Sequence, residues 1–274
     1  MNQKVRMLAL DLDGTTLTSC NTLSQKTKHA IQKAIAGGIE IVAASGRPYG
    51  SIPESILEIE GINYIISSNG AAIHSADGKC LCRKLIKESD VIKFLEITAE
   101  YDLIFEAFVD GLTYTDKRYI NNPLKYGCGE AYIEYVLSSH GHIDNMREFI
   151  YRHRTELDSI EIVCTDEILR KTIWQKIADI IDGLFITSSS ENFIEFMAAD
   201  ATKSNAVKWL CRRLGISLSH TCACGNADND ADMIKSAGLG AAVKNASSLC
   251  LKYADLVVAS NDNDGIAELI DIIL

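Results

Sequence analysis

The sequence predicts an α/β protein whose parallel-sheet core is interrupted by an inserted α+β domain. Three observations predict it. Short apolar runs alternate with helical segments at both ends of the chain, and this β-α-β-α-β order implies a parallel sheet with right-handed crossovers. Between residues 84 and 197 the rhythm changes to hairpin signals mixed with helices, among them Asp110-Gly111 between two apolar runs. Finally, the apolar runs of the outer segments stop at polar clusters, and in a parallel sheet ligands bind just beyond the strand carboxyl ends.

Residues 5–10 form the first strand, a mainly apolar run that ends at Asp11-Leu12-Asp13-Gly14. Two acids there concentrate negative charge, which is costly unless a cation or a proton relieves it. Asp and Gly are also ordinary turn residues. Ser24 caps a helix that runs to Gly37-Gly38, and residues 39–44 form a second strand ending at Ser45-Gly46-Arg47-Pro48. Residues 49–60 read as a helix and 64–67 as a third strand, ending at Ser68-Asn69-Gly70.

Hairpins are expected at 71–85 and 103–115, with a helix at 89–101 between them. Residues 117–142 carry no clear pattern, and His140 and His142 beside Gly141 read as loop residues. Helices near 144–155 and 166–181 and strands at 159–164, 184–188 and 193–198 complete the insertion. From Thr202 the alternation resumes: helix 203–214, strand 219–224, helix 230–236, strands 239–243 and 256–259, and helix 264–273. The expected organisation is a discontinuous core of residues 1–83 and 198–274, with an inserted domain at 84–197.

At 274 residues the chain can bury a substantial core, and its 47% hydrophobic and 23% charged residues are those of an ordinary globular protein. A net charge of −10 argues against a nucleic-acid partner, which needs clustered Lys and Arg. It leaves room for a small phosphorylated substrate, since a few cations set the field of a pocket. No long uncharged apolar segment is available to span a membrane, and no signal peptide is expected, because the sequence enters its first strand at once. Nine cysteines without framework spacing are expected as reduced thiols in the cytoplasm. Cys80/Cys82 and Cys222/Cys224 are C-x-C pairs without a matching half, a weak zinc signal. Met233 stands where an EF-hand loop needs Gly, and Thr202 stands where a P-loop needs its last Gly before Lys203-Ser204.

Polar residues at four strand ends, 11–13, 45–47, 69–70 and 225–230, offer carboxylates for a metal and a hydroxyl with backbone N–H groups for an oxyanion. Lys203 can add a point charge for a phosphate, although a lone Lys at a helix start is commonly solvated. These residues, with Asp11-Leu12-Asp13-Gly14-Thr15, Ser45-Gly46-Arg47, Lys203 and the 225–233 segment in this order, resemble the four motifs of the haloacid dehalogenase superfamily. The Ser68-Asn69-Gly70-Ala71 turn and the large insertion resemble its Cof-like sugar-phosphatase branch.

The resemblance implies a Rossmann-like core, an α+β cap that closes over the site and carries substrate identity, Mg²⁺, and hydrolysis of a small phosphomonoester. It implies Asp11 as nucleophile and Asp13 as acid and base. Leu12, Ser45, Gly46, Lys203 and Asn229 would contact the phosphoryl group, and Arg47 and Asn69 the rest of the substrate. Asp11, Asp13, Asn226 and Asp230 would serve the metal. The family's fourth motif usually reads Gly-Asp-x-x-Asn-Asp, whereas this chain has Gly225-Asn226-Ala227-Asp228-Asn229-Asp230. The amide of Asn226 can coordinate a hard cation but brings no charge. The expected partner is a small phosphorylated metabolite, and the expected state a monomer or weak homodimer. The alternatives are a phosphotransferase or mutase, or a non-catalytic phosphate-binding protein weakened by Asn226. No residue of 84–197 stands out as setting specificity.

Overall fold

The structure is a computed structural model and describes residues 4–274. It divides into two compact units: residues 4–47, 52–82 and 202–274, and residues 48–51 with 83–201.

The first unit is built on an eight-stranded sheet. In chain order its elements are β1 (Met7–Leu10), α1 (Gln25–Ala36), β2 (Glu40–Ala44), α2 (Glu54–Leu57), β3 (Ile62–Ser67), β4 (Ala72–Ser75) and β5 (Cys80–Arg83). The inserted segment contributes α3 (Glu88–Ile97), β6 (Ile104–Val109), β7 (Leu112–Asp116), α4 (Lys117–Asn121), α5 (Ile133–Ser139), β8 (His140–Ile143), α6 (Met146–Arg152), β9 (Leu157–Val163), α7 (Glu167–Ile180), β10 (Leu184–Thr187) and β11 (Phe193–Ala198). The chain ends with α8 (Lys203–Leu214), β12 (Thr221–Gly225), α9 (Ala231–Ser236), β13 (Leu239–Val243), α10 (Ser248–Tyr253), β14 (Leu256–Val258) and α11 (Gly265–Ile273).

The strand order of the first sheet is β14-β13-β12-β1-β2-β3-β4-β5. From β14 to β3 all pairs are parallel, and β4 returns antiparallel to β3. A strand buried on both faces reads as an unbroken apolar run, and every residue of β1 is buried. The chain steps outward from β1 to β2 and β3, then re-enters on the other side at β12. The carboxyl ends of β1 and β12 are therefore a topological switch point, where open α/β sheets bind ligands.

Helix α8 shows how sequence sets these elements. Thr202 caps it by accepting from the Asn205 N–H at 3.1 Å, Val207, Leu210 and Cys211 form its buried stripe, and Gly215 ends it in the left-handed region at φ 64°. The stripe packs with Met7, Ala9, Val42, Ala44 and Ala223.

The helix expected over 49–60 is instead a 3₁₀ turn at Tyr49–Ser51 and the single turn of α2. Pro53 lacks an N–H and biases Ile52 away from helical geometry, so the helix restarts after it. Helix α10, absent from the expectation, is capped by Ser247, whose side chain accepts from the Cys250 N–H.

The second unit carries a six-stranded sheet, β10-β11-β9-β6-β7-β8, antiparallel except for the β7–β8 pair. One face packs Phe105, Ala107, Ile160, Ile162, Ile194 and Phe196 among apolar residues that include Val91, Phe94, Ile150, Ile173 and Ile177 of α3, α6 and α7. On the other face Ile104 and Val163 pack with Tyr119, Cys128 and Val136. His140 and His142, expected in a loop, lie in β8 and pair with Thr113 and Thr115. This short edge strand has almost no apolar content, so its pairing partner and not its sequence makes it a strand. All nine cysteines are free. Among the described residues no helix is long and apolar enough to cross a membrane, and no group of His, Cys, Asp and Glu is arranged to hold a metal.

Candidate active site

Asp11 follows β1 directly, and its N–H donates to the Cys224 carbonyl of β12 at 3.0 Å, which fixes it at the switch point. The chain then turns sharply. Gly14 sits at φ 73°, left-handed backbone that favours glycine, and a Cβ there would fall 2.6 Å from Asn226 Nδ2 and displace that side chain. Thr16 Oγ1 donates to the Asp11 carbonyl at 2.5 Å and stiffens the turn from below.

Lys203, 192 residues away from Asp11, is the centre of the site. Its Nζ donates to Asp11 Oδ1 and Asp230 Oδ1, both at 2.7 Å, and its side chain is completely buried. Burial opposes its charge, but Asp11 and Asp230 outweigh that and hold it above the ordinary lysine range. Burial first, and then the charge of Asp230, push the Asp11 carboxyl up to about 7 against the pull of Lys203. One ammonium is shared by two buried carboxylates. Asp11 Oδ2 is buried with no hydrogen-bond partner.

Asp230, expected to serve the metal, is engaged at both carboxylate oxygens. Its Oδ1 is held by Lys203, and its Oδ2 accepts the N–H groups of Asn226 and Ala227 at 2.9 and 3.1 Å. Both oxygens are engaged, so Asp230 braces the fourth-motif loop and orients Lys203. Asn226 lies beside the first motif, its Oδ1 accepting from Thr15 Oγ1 at 3.0 Å.

Arg47, expected at the substrate, is buried and grips Asp13 with two hydrogen bonds, Nε to Oδ2 at 2.9 Å and Nη2 to Oδ1 at 2.5 Å. Its Nη2 also donates to Asn21 Oδ1 at 2.7 Å. Such a two-pronged pair fixes a carboxylate in orientation as well as charge.

Ser45 is fully buried at the end of β2, with its Oγ accepting from the Arg47 N–H at 3.1 Å. The Asn69 N–H donates to the Ser45 carbonyl, and the Asn69 side chain accepts from Asn229 Nδ2 at 2.8 Å. Asn229 Oδ1 has no hydrogen-bond partner although it is buried. Ser68 and Asn69 hold left-handed backbone at φ 49° and 56°, a conformation that costs energy outside glycine. Gly70, at φ 100°, lets this turn pass the start of α8, since a Cβ would lie 2.3 Å from the Thr202 carbonyl oxygen. Gly46 packs against Asn69, and Leu12 is buried, so any contact Leu12 makes with a ligand comes from its backbone.

The sequence reading missed four supports. Asn21 holds Arg47, Thr15 orients Asn226, and Asn245 Nδ2 donates to the Gly14 carbonyl at 2.9 Å while its Oδ1 accepts from the Asn261 N–H. Asn261 Nδ2 in turn donates to the Leu17 carbonyl at 2.9 Å. The available signal was positional: Asn245 and Asn261 lie just beyond β13 and β14, at the same sheet edge as the motifs.

The sequence profile of the haloacid dehalogenase-like hydrolases matches residues 8–270. The chain belongs to that family. Phosphatase YwpJ of Bacillus subtilis (strain 168) is 29% identical, over 97% of this chain and 98% of that protein. The 5-amino-6-(5-phospho-D-ribitylamino)uracil phosphatase YcsE of the same strain is 25% identical, over 97% and 94%. The solved structure of a haloacid dehalogenase-like hydrolase from B. subtilis superposes with a TM-score of 0.88 at 27% identity, over 98% of this chain and 100% of that one. A subclass IIB sugar phosphatase shares the fold, with a TM-score of 0.85 at 20% identity and coverage of 98% and 100%. As a haloacid dehalogenase-like hydrolase, the chain has the α/β architecture of that family, a Rossmann-like core with an inserted α+β cap.

Proposed function

We infer that this chain is a phosphatase that hydrolyses a small phosphomonoester, a sugar phosphate or similar metabolite, through an aspartyl-phosphate on Asp11. The observation that carries this reading is the asymmetry of Asp11. Lys203 holds Oδ1, while Oδ2 is buried and unengaged. A carboxylate fixed in this way is oriented as a nucleophile before substrate arrives.

In the first half-reaction an Asp11 oxygen bonds to phosphorus and the phosphorus–oxygen bond to the alcohol breaks. Asp13 gives the leaving oxygen its proton, for which it has to part from Arg47. In the second half-reaction Asp13 takes a proton from water, the water oxygen attacks phosphorus, and Asp11 is released with inorganic phosphate. Ser45, the Gly46 N–H, Lys203 and Asn229 face the growing charge on the phosphoryl oxygens. Asn229 Nδ2 gives one of its two hydrogens to Asn69 Oδ1, which leaves the other for a phosphoryl oxygen.

Mg²⁺ fits this set, because the donors are oxygens and Asp11 Oδ2 is a buried acceptor without a partner. Asp11, the Asp13 backbone carbonyl and Asn226 would hold it. When bound, it offsets the repulsion between an anionic nucleophile and an anionic phosphoryl group. With Asn226 neutral and Asp230 already engaged, metal affinity is lower than a third carboxylate would give. In this reading residues 1–83 and 198–274 are the catalytic core, and 84–197 the cap that selects the leaving group.

The test is phosphate release by the full-length chain from hexose, pentose and nucleotide monophosphates across a Mg²⁺ series, with no added acceptor. Asp11→Asn is expected to lower kcat by about 10³-fold or more. Turnover only with an acceptor alcohol would make the protein a phosphotransferase. Binding of a sugar phosphate without turnover, cured by Asn226→Asp, would make it a binding protein.

A further inference from the structure

The second unit contains an ionisable cluster that the hydrolytic chemistry does not use. Glu106 of β6 pairs directly with Glu161 of β9, and Glu161 with Glu195 of β11. Directly opposed residues share a sheet face with Cβ atoms about 4.5–5.5 Å apart. Three carboxylates therefore stand in one row across three adjacent strands, only 3%, 6% and 1% exposed. In sequence each of these residues sits between apolar neighbours, Phe105-Glu106-Ala107, Ile160-Glu161-Ile162 and Ile194-Glu195-Phe196, and those neighbours form the opposite, helix-covered face.

The surroundings supply little positive charge. Thr115 of β7 extends the row beside Glu106, and His140 of β8 brings Nε2 to 3.6 Å from Glu106 Oε1. The Ser189 N–H donates to Glu195 Oε1 at 2.7 Å. Tyr119 of α4 and Cys128 lie close enough to feel the charge of Glu106. Among the described residues no Lys or Arg offsets Glu106 or Glu161.

A second observation points to a missing ligand. Glu106 Oε1 and the Thr113 hydroxyl are both buried without a hydrogen-bond partner. Thr113 opposes Phe108 of β6 and His140 of β8, so it lies on the Glu106 face, one step along the strand from Thr115. Buried polar atoms are nearly always partnered, and such orphans mark a place where a group belongs.

We propose that the Glu106–Glu161–Glu195 row, with Thr113, is a binding site for the ammonium group of a small organic amine. An ammonium offers three N–H donors and no acceptor, which matches a surface of acceptors that has no Lys or Arg of its own at Glu106 and Glu161.

Binding is linked to protons. Burial above all, and then the charge of Glu195 against the Thr115 hydrogen bond, push the Glu106 carboxyl up to about 8. Burial and the two neighbouring glutamates raise Glu161 as well. Near neutral pH Glu106 and Glu161 thus hold protons, and an entering ammonium expels one, charge for charge. Affinity rises as pH increases toward 8.

The test is calorimetry on the full-length wild type with 4-aminobutan-1-ol and butane-1,4-diol, in buffers of different ionisation heat at pH 6.5 and 8. The amine is expected to bind about tenfold or more tightly than the diol, with proton release and higher affinity at pH 8. Glu106→Gln and Thr113→Val are expected to shrink that preference. Equal binding of amine and diol by the wild type overturns the proposal, whether or not the variants fold. So does a preference that survives in both folded variants.

Discussion

In the first unit Asp11 and Asp230 share the ammonium of Lys203, and Asp13 is gripped by Arg47; in the second, Glu106 and Glu161 stand in one row with Glu195, and among the described residues no Lys or Arg offsets Glu106 or Glu161. The Asp11–Asp230–Lys203 group and the glutamate row are both buried and short of positive charge, yet they meet the cost of buried anions differently. Where a cation is built in, the carboxylates are fixed in orientation, as nucleophilic chemistry requires. Where none is built in, protons stay on the carboxyls until something displaces them. Asp11 lies between these cases: its one lysine is divided between two acids, so its carboxyl still rises to about 7. That remaining deficit is what a divalent cation would fill.

The largest break in this comparison comes from removing the built-in cation. Lys203→Met leaves Asp11 and Asp230 buried together and is expected to cost about 3–5 kcal/mol of stability, read as a lower urea midpoint. Glu161→Gln removes one of three repelling acids and is expected to leave stability at pH 8 unchanged or higher. If the two variants lose stability equally, the clusters are not neutralised differently.

A middle-sized effect is expected from charge at position 226. Asn226→Asp should tighten Mg²⁺ binding about tenfold by calorimetry, because a carboxylate replaces an amide oxygen. Unchanged affinity would remove Asn226 from the ligand set.

The smallest effect concerns pH and stability. Glu106 rises from an ordinary 4.5 to about 8 in the folded chain, so between those values the folded state holds more protons than the unfolded. Stability therefore falls as pH rises from about 4.5 to about 8, and the loss is complete above that. Glu106→Gln should make this fall shallower by about 1 kcal/mol or more across pH 5 to 8. The contribution of Asp11, of the same sign up to about 7, persists in that variant. An identical slope in both proteins would show that Glu106 does not hold a proton.

Much of the first unit was legible in the sequence, because local physics decides it. An unbroken apolar run such as 7–10 has few fates besides a buried strand, and Gly14 and Gly70 mark turns whose left-handed backbone favours glycine. Polar clusters at the ends of four such runs located the candidate site, since strands in one parallel sheet finish at one edge. The helix expected over 49–60 failed because Pro53 outweighs the helical pattern around it, and β8 was missed because His140-Gly141-His142-Ile143 gains strand form only by pairing with β7.

The sequence by itself thus determined the α/β class, the interruption of the core and the identities of Asp11, Asp13, Ser45 and Lys203 as candidates. These depend on periodicity and on residue types at strand ends. Tertiary structure alone decided who pairs with whom. It placed Lys203 between Asp11 and Asp230, turned Arg47 onto Asp13, and joined Asp230 to the N–H groups of Asn226 and Ala227. It also aligned Glu106, Glu161 and Glu195, which in sequence look like the solvent-facing positions of three ordinary strands. Strand register and long-range ion pairs join residues far apart in the chain, and no local pattern encodes them.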